Sequence, residues 1–240
     1  MNKVLIQSRF SKNLASYNDN AKIQKRMAER LLTFVEKNEY NSILEIGCGT
    51  GFLTKFLCEK VKFKTLEAID IVEDCKDYIL QINPNIEFIN ADIEEYLKND
   101  NKKYDLIISN ATLQWVENFE KTIKILKQKL NPNGELIIST FGKENFREIY
   151  HVIGTTLAYY SQIELKELFS DFEIQTEEEI HIMSFSTPKE VLKHLQSTGV
   201  NAIENKGWTK KDLTKFENGY TNLCSKRPTL TYNPIYMRIK

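Results

Sequence analysis

Three glycines alternate with other residues in the segment Glu45-Ile46-Gly47-Cys48-Gly49-Thr50-Gly51. Glycine lets a backbone approach a ligand closely and adopt a positive φ where a side chain would clash. A dinucleotide fingerprint, G-x-G-x-x-G, would require a glycine at position 52, where this chain has Phe52. The Lys-Ser/Thr pair of a P-loop is also missing. The segment therefore indicates a close backbone–ligand contact of another kind.

Two aspartates follow the glycine segment at places where a nucleoside could bind. Asp70 ends a predicted strand about 20 residues after the glycines, where a carboxylate can accept hydrogen bonds from ribose hydroxyls. Asp92 follows the next predicted strand and is placed to face an adenine. Either aspartate alone could be a helix N-cap or a turn residue. In register with the glycines, they favour a nucleoside ligand.

A third group, Asn110, Gln114 and Trp115, follows another predicted strand. An aromatic face attracts a cation, and side-chain amides can position an acceptor without titrating. Trp115 could equally be a core anchor and Asn110 a turn residue. The residue types alone leave both interpretations open.

The elements that must position these residues alternate between strands and helices. We predict strands at 41–46, 65–69, 86–89, 104–109, 135–140, 172–185 and 229–239, and helices at 22–37, 52–61, 75–82, 119–130, 188–197 and 209–220, with 143–170 largely helical. The strand 104–109 is almost continuously apolar, as expected of a central strand covered on both faces. Such alternation implies an α/β fold with a doubly wound, mostly parallel sheet. Ser161 and Glu164 predict a capping box inside the helical segment.

The composition fits one globular domain over residues 1–240, with 41% hydrophobic and 28% charged residues. We find no apolar run long enough for a membrane helix and no secretory signal, so we expect a cytoplasmic protein. The cysteines and histidines lack metal-ligand spacing, and no metal is expected. No nucleic-acid-binding motif occurs.

The net charge is zero but unevenly distributed. Residues 1–37 carry 8 basic and 3 acidic side chains, and residues 189–240 carry 10 and 4. Residues 38–188 hold the remaining 15 basic and 26 acidic side chains. Both ends of the chain are therefore basic, and its middle is acidic.

The glycine segment and its acids resemble class I S-adenosylmethionine methyltransferases, whose first motif is E/D-x-G-x-G-x-G, over roughly residues 40–140. The resemblance implies a Rossmann-like, seven-stranded sheet with helices on both faces and a helical lid. It implies that Glu45 orients the methionine end of the cofactor, that Asp70 holds the ribose, and that Asp92 reads the adenine amino group. The residues that it places in the cofactor site are Glu45, Gly47, Cys48, Gly49, Gly51, Asp70, Ile71, Asp92, Ile93 and Asn110.

The element S-N-x-x-x-Q-W at 109–115 resembles two groups of methyltransferases. These are the malonyl-[acyl-carrier-protein] O-methyltransferases of biotin synthesis (the BioC family) and the trans-aconitate methyltransferases. The ends of the chain favour the first group. The segment 9–17, followed by Gln24, is similar to its F-x-x-A-x-x-Y opening, although Asn13 or Leu14 stands where a small residue is usual. Segments 192–201 and 230–232 resemble its L-K-x-x-G and L-T-Y segments.

This resemblance implies methylation of the free carboxylate of a malonyl thioester on acyl carrier protein, an early step of biotin synthesis. A carboxylate with a pKa near ~4 is already ionised at neutral pH and needs no general base. Residues implied to act at the reacting centre are Tyr17, Asn110, Gln114 and Trp115. The alternatives are a methyltransferase for a free small acid such as trans-aconitate and a non-catalytic regulator that retains the cofactor.

The substrate side is expected to use residues outside the core. Arg147 or Tyr232 could hold the second carboxylate oxygen, although a surface salt bridge is an alternative role for Arg147. Lys206, Lys210 and Lys211 flank Trp208 and are expected to contact the acidic carrier protein. We assign residues 1–37 to an N-terminal lid and helix, 40–140 to the cofactor-binding core, 143–170 to a helical insertion over the active site, and 171–240 to substrate-side elements.

Overall fold

A computed structural model describes residues 3–198, 208–224 and 227–240 of the chain. The strands in these ranges are β1 Glu39–Ile46, β2 Lys62–Asp70, β3 Glu87–Asn90, β4 Tyr104–Asn110, β5 Leu130–Phe141, β6 Ile174–Glu178, β7 His181–Ser184, β8 Thr229–Tyr232 and β9 Pro234–Ile239. The helices are α1 Lys3–Asn20, α2 Lys22–Leu31, α3 Phe52–Lys60, α4 Cys75–Ile82, α5 Ile93–Asn99, α6 Phe119–Gln128, α7 Arg147–Ile153, α8 Gln162–Leu168, α9 Pro188–Ser197 and α10 Lys210–Leu223.

Seven of these strands form one sheet in the order β3-β2-β1-β4-β5-β9-β6. The pairs among β1 to β5 are parallel, and β9 runs antiparallel to both β5 and β6. The prediction of a seven-stranded, mostly parallel sheet is confirmed. The chain order reverses between β1 and β4, so the crevice beyond their carboxyl ends is where such sheets bind ligands.

Helices cover both faces of the sheet because its strands carry apolar side chains on alternate faces. On β1, Ile43 packs on the face that also receives Met27 of α2 and Leu57 of α3. Leu44 points to the other face, which is covered by α5, α6 and α8. All of these side chains are fully buried or nearly so, so the residues at the carboxyl ends of the strands are held rigidly.

Beyond β5 the structure departs from the predicted elements. The segments 172–185 and 229–239 each form two strands instead of one, because β6 pairs with β9 in the main sheet while β7 pairs with β8 in a separate two-stranded sheet. The register is continuous, with Glu178 opposite Ile235 and His181 opposite Tyr232. One long antiparallel ladder is thus bent between these two pairs.

The segment 143–170 forms two short helices that lie apart, rather than one insertion. α7 contacts β8 and α10. α8 instead packs Leu165 against the sheet face that carries α5 and α6. The capping box between Ser161 and Glu164 is present at the start of α8. One contiguous group of elements follows β5 and consists of α7, α9, α10, β7 and β8.

Candidate active site

The glycine segment forms a turn at the carboxyl end of β1. Gly47 has a φ of +71°, and a Cβ atom there would lie 2.1 Å from Oγ1 of Thr112. Its N–H donates to the carbonyl of Ile69 on β2 at 2.8 Å. Gly51 has a φ of +84° and precedes α3 as its N-cap. Only glycine fits these positions, so the spacing recognised in the sequence reflects a steric requirement.

Asp70 ends β2 beside this turn and is almost fully buried. Its two carboxylate oxygens accept hydrogen bonds from the N–H groups of Gly49 and Val72, each at 2.9 Å. Burial raises the pKa of Asp70, and these backbone hydrogen bonds oppose that shift. The carboxylate is therefore fixed to the glycine turn, in the wall of the cavity.

Glu45 lies behind the turn, on the side of α3, and is only 1% exposed. Within the described parts of the chain, neither carboxylate oxygen has a hydrogen-bond partner of normal geometry, nor has the nearby hydroxyl of Thr54. Burial raises the pKa of Glu45 to about 8. A buried carboxyl without a partner is costly unless it is protonated or meets a cation.

Two adjoining cavities open beyond the strand ends, with about 960 and 510 Å³ of empty space. Both are lined by Gly47, Asp70, Ile71 and Trp115, so we treat them as one cleft with two ends. The larger end also contains predicted cofactor residues Cys48, Gly49 and Asn110, and the smaller end contains Asp92 and Ile93. Glu45 and Gly51 lie behind this wall. A concave cleft with a largely apolar wall and a few polar groups is typical of a small-molecule site.

Asp92 lies at the smaller end with both of its oxygens engaged. Its Oδ1 caps α5 by accepting from the N–H groups of Glu94 and Glu95. Its Oδ2 pairs with the ammonium of Lys3 at 2.8 Å. The N-cap role that the sequence left open for this aspartate is therefore present. Contact of Asp92 with an adenine stays a prediction.

Helix α1 covers the cleft, which places Tyr17 in its wall. The ring of Tyr17 packs edge-on against Phe10, with 4.9 Å between centroids, and lies 6.1 Å from the ring of Phe52. Burial raises the pKa of the Tyr17 hydroxyl, so it stays protonated at neutral pH. The amide of Gln7 donates to the carbonyl of Ile71 at 2.8 Å and ties α1 to the end of β2.

Asn110, Gln114 and Trp115 all lie in the wall of the larger cavity. Both amide atoms of Asn110 are engaged, because Nδ2 donates to the carbonyl of Gln24 at 3.0 Å and Oδ1 accepts from Ser139 at 2.7 Å. The Nε2 of Gln114 donates to the carbonyl of Ala111 at 2.7 Å. Asn110 therefore joins α2 to the ends of β4 and β5, and its contact with an acceptor stays a prediction.

The predicted substrate-side residues lie outside this wall. Arg147 is exposed and pairs with Glu144 at 3.1 Å, which is the salt bridge considered as its alternative role. The hydroxyl of Tyr232 is buried and lies 2.8 Å from Nε2 of His194. Lys210 and Lys211 are exposed at the start of α10, and Lys206 falls outside the described residues. None of the four described residues lines either cavity.

Several residues of the cleft were not predicted. They are Ile6, Gln7, Phe10, Gln24, Phe52, Phe141 and Thr198. The positions 6, 10, 14 and 17 repeat at helical spacing, so an amphipathic α1 with its apolar face over the site could have been inferred. Phe141 and Thr198 carry no local signal because only the tertiary fold brings them to the cleft.

Metal-binding clusters and membrane-spanning helices are both missing from the described residues. No group of three or more His, Cys, Asp or Glu side chains that could bind a metal occurs there. None of the helices in that part of the chain has both the length and the hydropathy needed to cross a membrane.

Comparison with known proteins identifies relatives over nearly the whole chain. The family described as methyltransferase domain matches residues 20–205. A malonyl-[acyl-carrier protein] O-methyltransferase from Calditerrivibrio nitroreducens is 38% identical, covering 96% of this chain and 94% of the relative. The protein of the same name from Chlorobium luteolum is 34% identical, with 98% and 94% coverage.

Solved structures support the fold. A methyltransferase structure from Bacillus halodurans superposes with a TM-score of 0.63 at 12% identity, covering 88% of this chain and 97% of that one. The N-methyltransferase NodS from Bradyrhizobium japonicum, in complex with S-adenosylhomocysteine, gives a TM-score of 0.55 at 15% identity, with 98% and 97% coverage. At these identities, the likeness shows a shared architecture.

Proposed function

This chain belongs to the methyltransferase domain family, and we propose that it transfers a methyl group from S-adenosylmethionine to the free carboxylate of a malonyl thioester on acyl carrier protein, an early step of biotin synthesis. The observation that carries the proposal is the likeness to malonyl-[acyl-carrier protein] O-methyltransferases over nearly the full length of both chains. The cleft at the carboxyl ends of β1, β2 and β4 supports it, since it combines a glycine turn with the buried Asp70.

The residues of the cleft fit S-adenosylmethionine, which supplies an electrophilic methyl group when bound. Asp70 lies in the wall where ribose hydroxyls can donate to its carboxylate, which the turn already orients. Glu45 is a buried acid behind this wall whose oxygens make no hydrogen bond of normal geometry within the described ranges, so the charge of the methionine ammonium would favour its ionised form across the turn. Trp115 borders both cavities and offers an aromatic face to a cation.

The chemistry of the acceptor suits a cleft of this composition. A malonyl carboxylate, with a pKa near ~4, is ionised at neutral pH and needs no general base. The protein must then align the carboxylate oxygen with the methyl carbon and exclude water, an effect that can contribute ~7–11 kcal/mol. α1 supplies Phe10 and Tyr17 as a cover over the cleft, which serves that second purpose.

We infer further that an acidic carrier protein docks on the basic elements around the cleft. α1, α2 and the end of α9 contribute wall residues, and they carry the exposed cations Lys12, Lys22 and Lys193. α10 packs on α9 and begins with the exposed Lys210 and Lys211. Electrostatic complementarity of this kind acts mainly on the association rate.

Transfer of label from S-adenosylmethionine to malonyl thioesters, acetyl thioesters and trans-aconitate tests the reaction. Transfer confined to malonyl thioesters is expected, because only they combine the thioester with a free carboxylate. Transfer to aconitate alone would identify a methyltransferase of free acids. Binding of the cofactor without transfer to any acceptor would indicate a regulator. Equal transfer to acetyl and malonyl thioesters would contradict carboxyl methylation.

The docking surface needs a separate test. Since exposed charges are screened over about 8 Å at physiological ionic strength, added salt should slow turnover of malonyl-carrier protein much more than turnover of malonyl-pantetheine. Lys210→Glu with Lys211→Glu should cause the same selective loss. Lys62→Glu with Lys64→Glu is the matched control, because these exposed lysines lie at the opposite, amino end of the sheet. An equal response of both acceptors would exclude this surface.

A further inference from the structure

The larger cavity has an almost uncharged wall. Asp70 is the sole Asp or Glu that the described residues contribute to it, and they contribute neither Lys, Arg nor His. Asp70 belongs to the cofactor side and is bonded to the glycine turn. The proposed acceptor is an anion, so some neutral donor in the rest of this wall must hold it.

Two glutamine side chains of the wall, Gln24 and Gln114, keep an amide oxygen buried without a partner in the described part of the chain. The Nε2 donor of Gln114 is already bonded to the carbonyl of Ala111 at 2.7 Å, so turning this amide towards an anion would break that bond. Gln24 is 5% exposed, and its amide head can turn about its last torsion at little cost. That rotation replaces Oε1 with the Nε2 donor.

The backbone of Gln24 is fixed relative to the strand ends. Its carbonyl accepts from Nδ2 of Asn110, whose Oδ1 accepts from Ser139 on β5. The hydroxyl oxygen of Ser139 in turn accepts from the N–H of Ala111 at 3.1 Å. This chain of hydrogen bonds holds α2 against the carboxyl ends of β4 and β5. Gln24 therefore reaches the cavity from a rigid support.

We propose that Gln24 holds the acceptor carboxylate through its neutral amide, an inference that rests on the proposed function. Methyl transfer converts the anionic carboxylate into a neutral ester. A buried arginine or lysine that paired with the substrate would then be left without a counter-ion, at a large cost. An amide N–H donates to a carboxylate and, more weakly, to an ester carbonyl, so it releases the product without leaving an unpaired charge. Asn110 acts here as a positioning residue for Gln24.

The test compares Gln24→Leu, Gln24→Asn and Gln24→Glu with Gln81→Leu, an exposed glutamine on α4. Gln24→Leu should raise the KM for malonyl-pantetheine roughly 10- to 100-fold, the scale of a hydrogen bond to a charged group. Gln24→Glu should raise this KM further because it repels the substrate carboxylate. Gln24→Asn should raise it less than Gln24→Leu does. Gln81→Leu should match the wild type.

Equilibrium binding provides a readout that is independent of turnover. Calorimetry should show that a non-reactive thioether analogue of malonyl-pantetheine binds Gln24→Leu more weakly by the same factor, with S-adenosylhomocysteine binding unchanged. If the variant instead binds S-adenosylhomocysteine more weakly, Gln24 contacts the cofactor and the inference is wrong. An unchanged KM in Gln24→Leu would also overturn it. If the wild type methylates no malonyl thioester, the proposed function itself fails.

Discussion

Binding of S-adenosylmethionine should release a proton from Glu45. Burial, with a smaller contribution from the neighbouring Asp70 and against the opposing influence of Thr54, raises the pKa of this carboxyl to about 8. In the free protein at pH 7, the group therefore carries a proton. A ligand ammonium on the cleft side of the glycine turn favours the ionised carboxylate, because opposite charges attract strongly in a buried site.

The size of the effect follows from the pKa. The rise of the pKa from an ordinary value of 4.5 to about 8 corresponds to a free energy of about 5 kcal/mol. This is the net cost of ionising the carboxyl in its buried position. With a pKa of about 8, Glu45 holds about 0.9 of a proton at pH 7. Binding should thus release close to one proton. Between pH 6 and pH 7, the affinity should rise by up to about tenfold.

Calorimetric titration with S-adenosylhomocysteine, repeated at pH 7 in buffers of different ionisation enthalpy, measures the protons released. Glu45→Gln should release none and should bind roughly 10- to 100-fold more weakly. Glu67→Gln is the matched control, since Glu67 is a buried acid of β2 that is bonded to Tyr96, Tyr104 and Lys102. It should keep the proton release. Wild-type binding without proton release would refute the role of Glu45.

Three further predictions concern binding and stability. Asp70→Ala should weaken cofactor binding by roughly 1.5–3 kcal/mol in calorimetry, and unchanged affinity would exclude the ribose contact. The folded protein retains the proton of Glu45 between about pH 4.5 and 8, so the free energy of unfolding should fall across that window, and urea titrations should show that Glu45→Gln removes this slope. Gly47→Ala should lower the urea midpoint more than Gly154→Ala, because both have positive φ but only Gly47 meets a side chain, that of Thr112. Equal losses of stability would show that the strain of a positive φ, rather than the clash with Thr112, causes the destabilisation.

The parallel half of the fold was predictable because its signals are local. The apolar run 104–109 identified β4, which lies between β1 and β5 in the sheet. The antiparallel half was predicted less well. The ladder bends where Asn233 donates to Glu178 and accepts from the N–H of Glu144. Both glutamates are far from Asn233 in the sequence. Nothing in the local pattern of 172–185 or 229–239 indicates those contacts.

The cofactor side and the acceptor side of the cleft also differ in how well the sequence predicted them. The predicted cofactor residues that line it follow directly on strands β1 to β4, so a motif and a strand pattern located them together. The acceptor side combines Gln24 of α2, Phe141 at the end of β5 and Thr198 after α9. These positions are far apart in sequence, and only the packed fold brings them together. A single sequence therefore located the cofactor better than the acceptor.

The uneven charge of the chain has a physical explanation in this arrangement. The acidic middle contains Glu45 and Asp70, which suit a cationic cofactor, whereas the basic ends form α1, α2, α9 and α10 around the cleft. Between them lies a wall to which the described residues contribute Asp70 and no cation, and there the carboxylate must meet the methyl group. A cation in that wall would stabilise the carboxylate before the reaction and would be left without a counter-ion after it. In the docking that we propose, basic charge outside the cleft would attract an acidic carrier without that cost, so salt should affect the capture of the carrier and leave the chemical step unchanged.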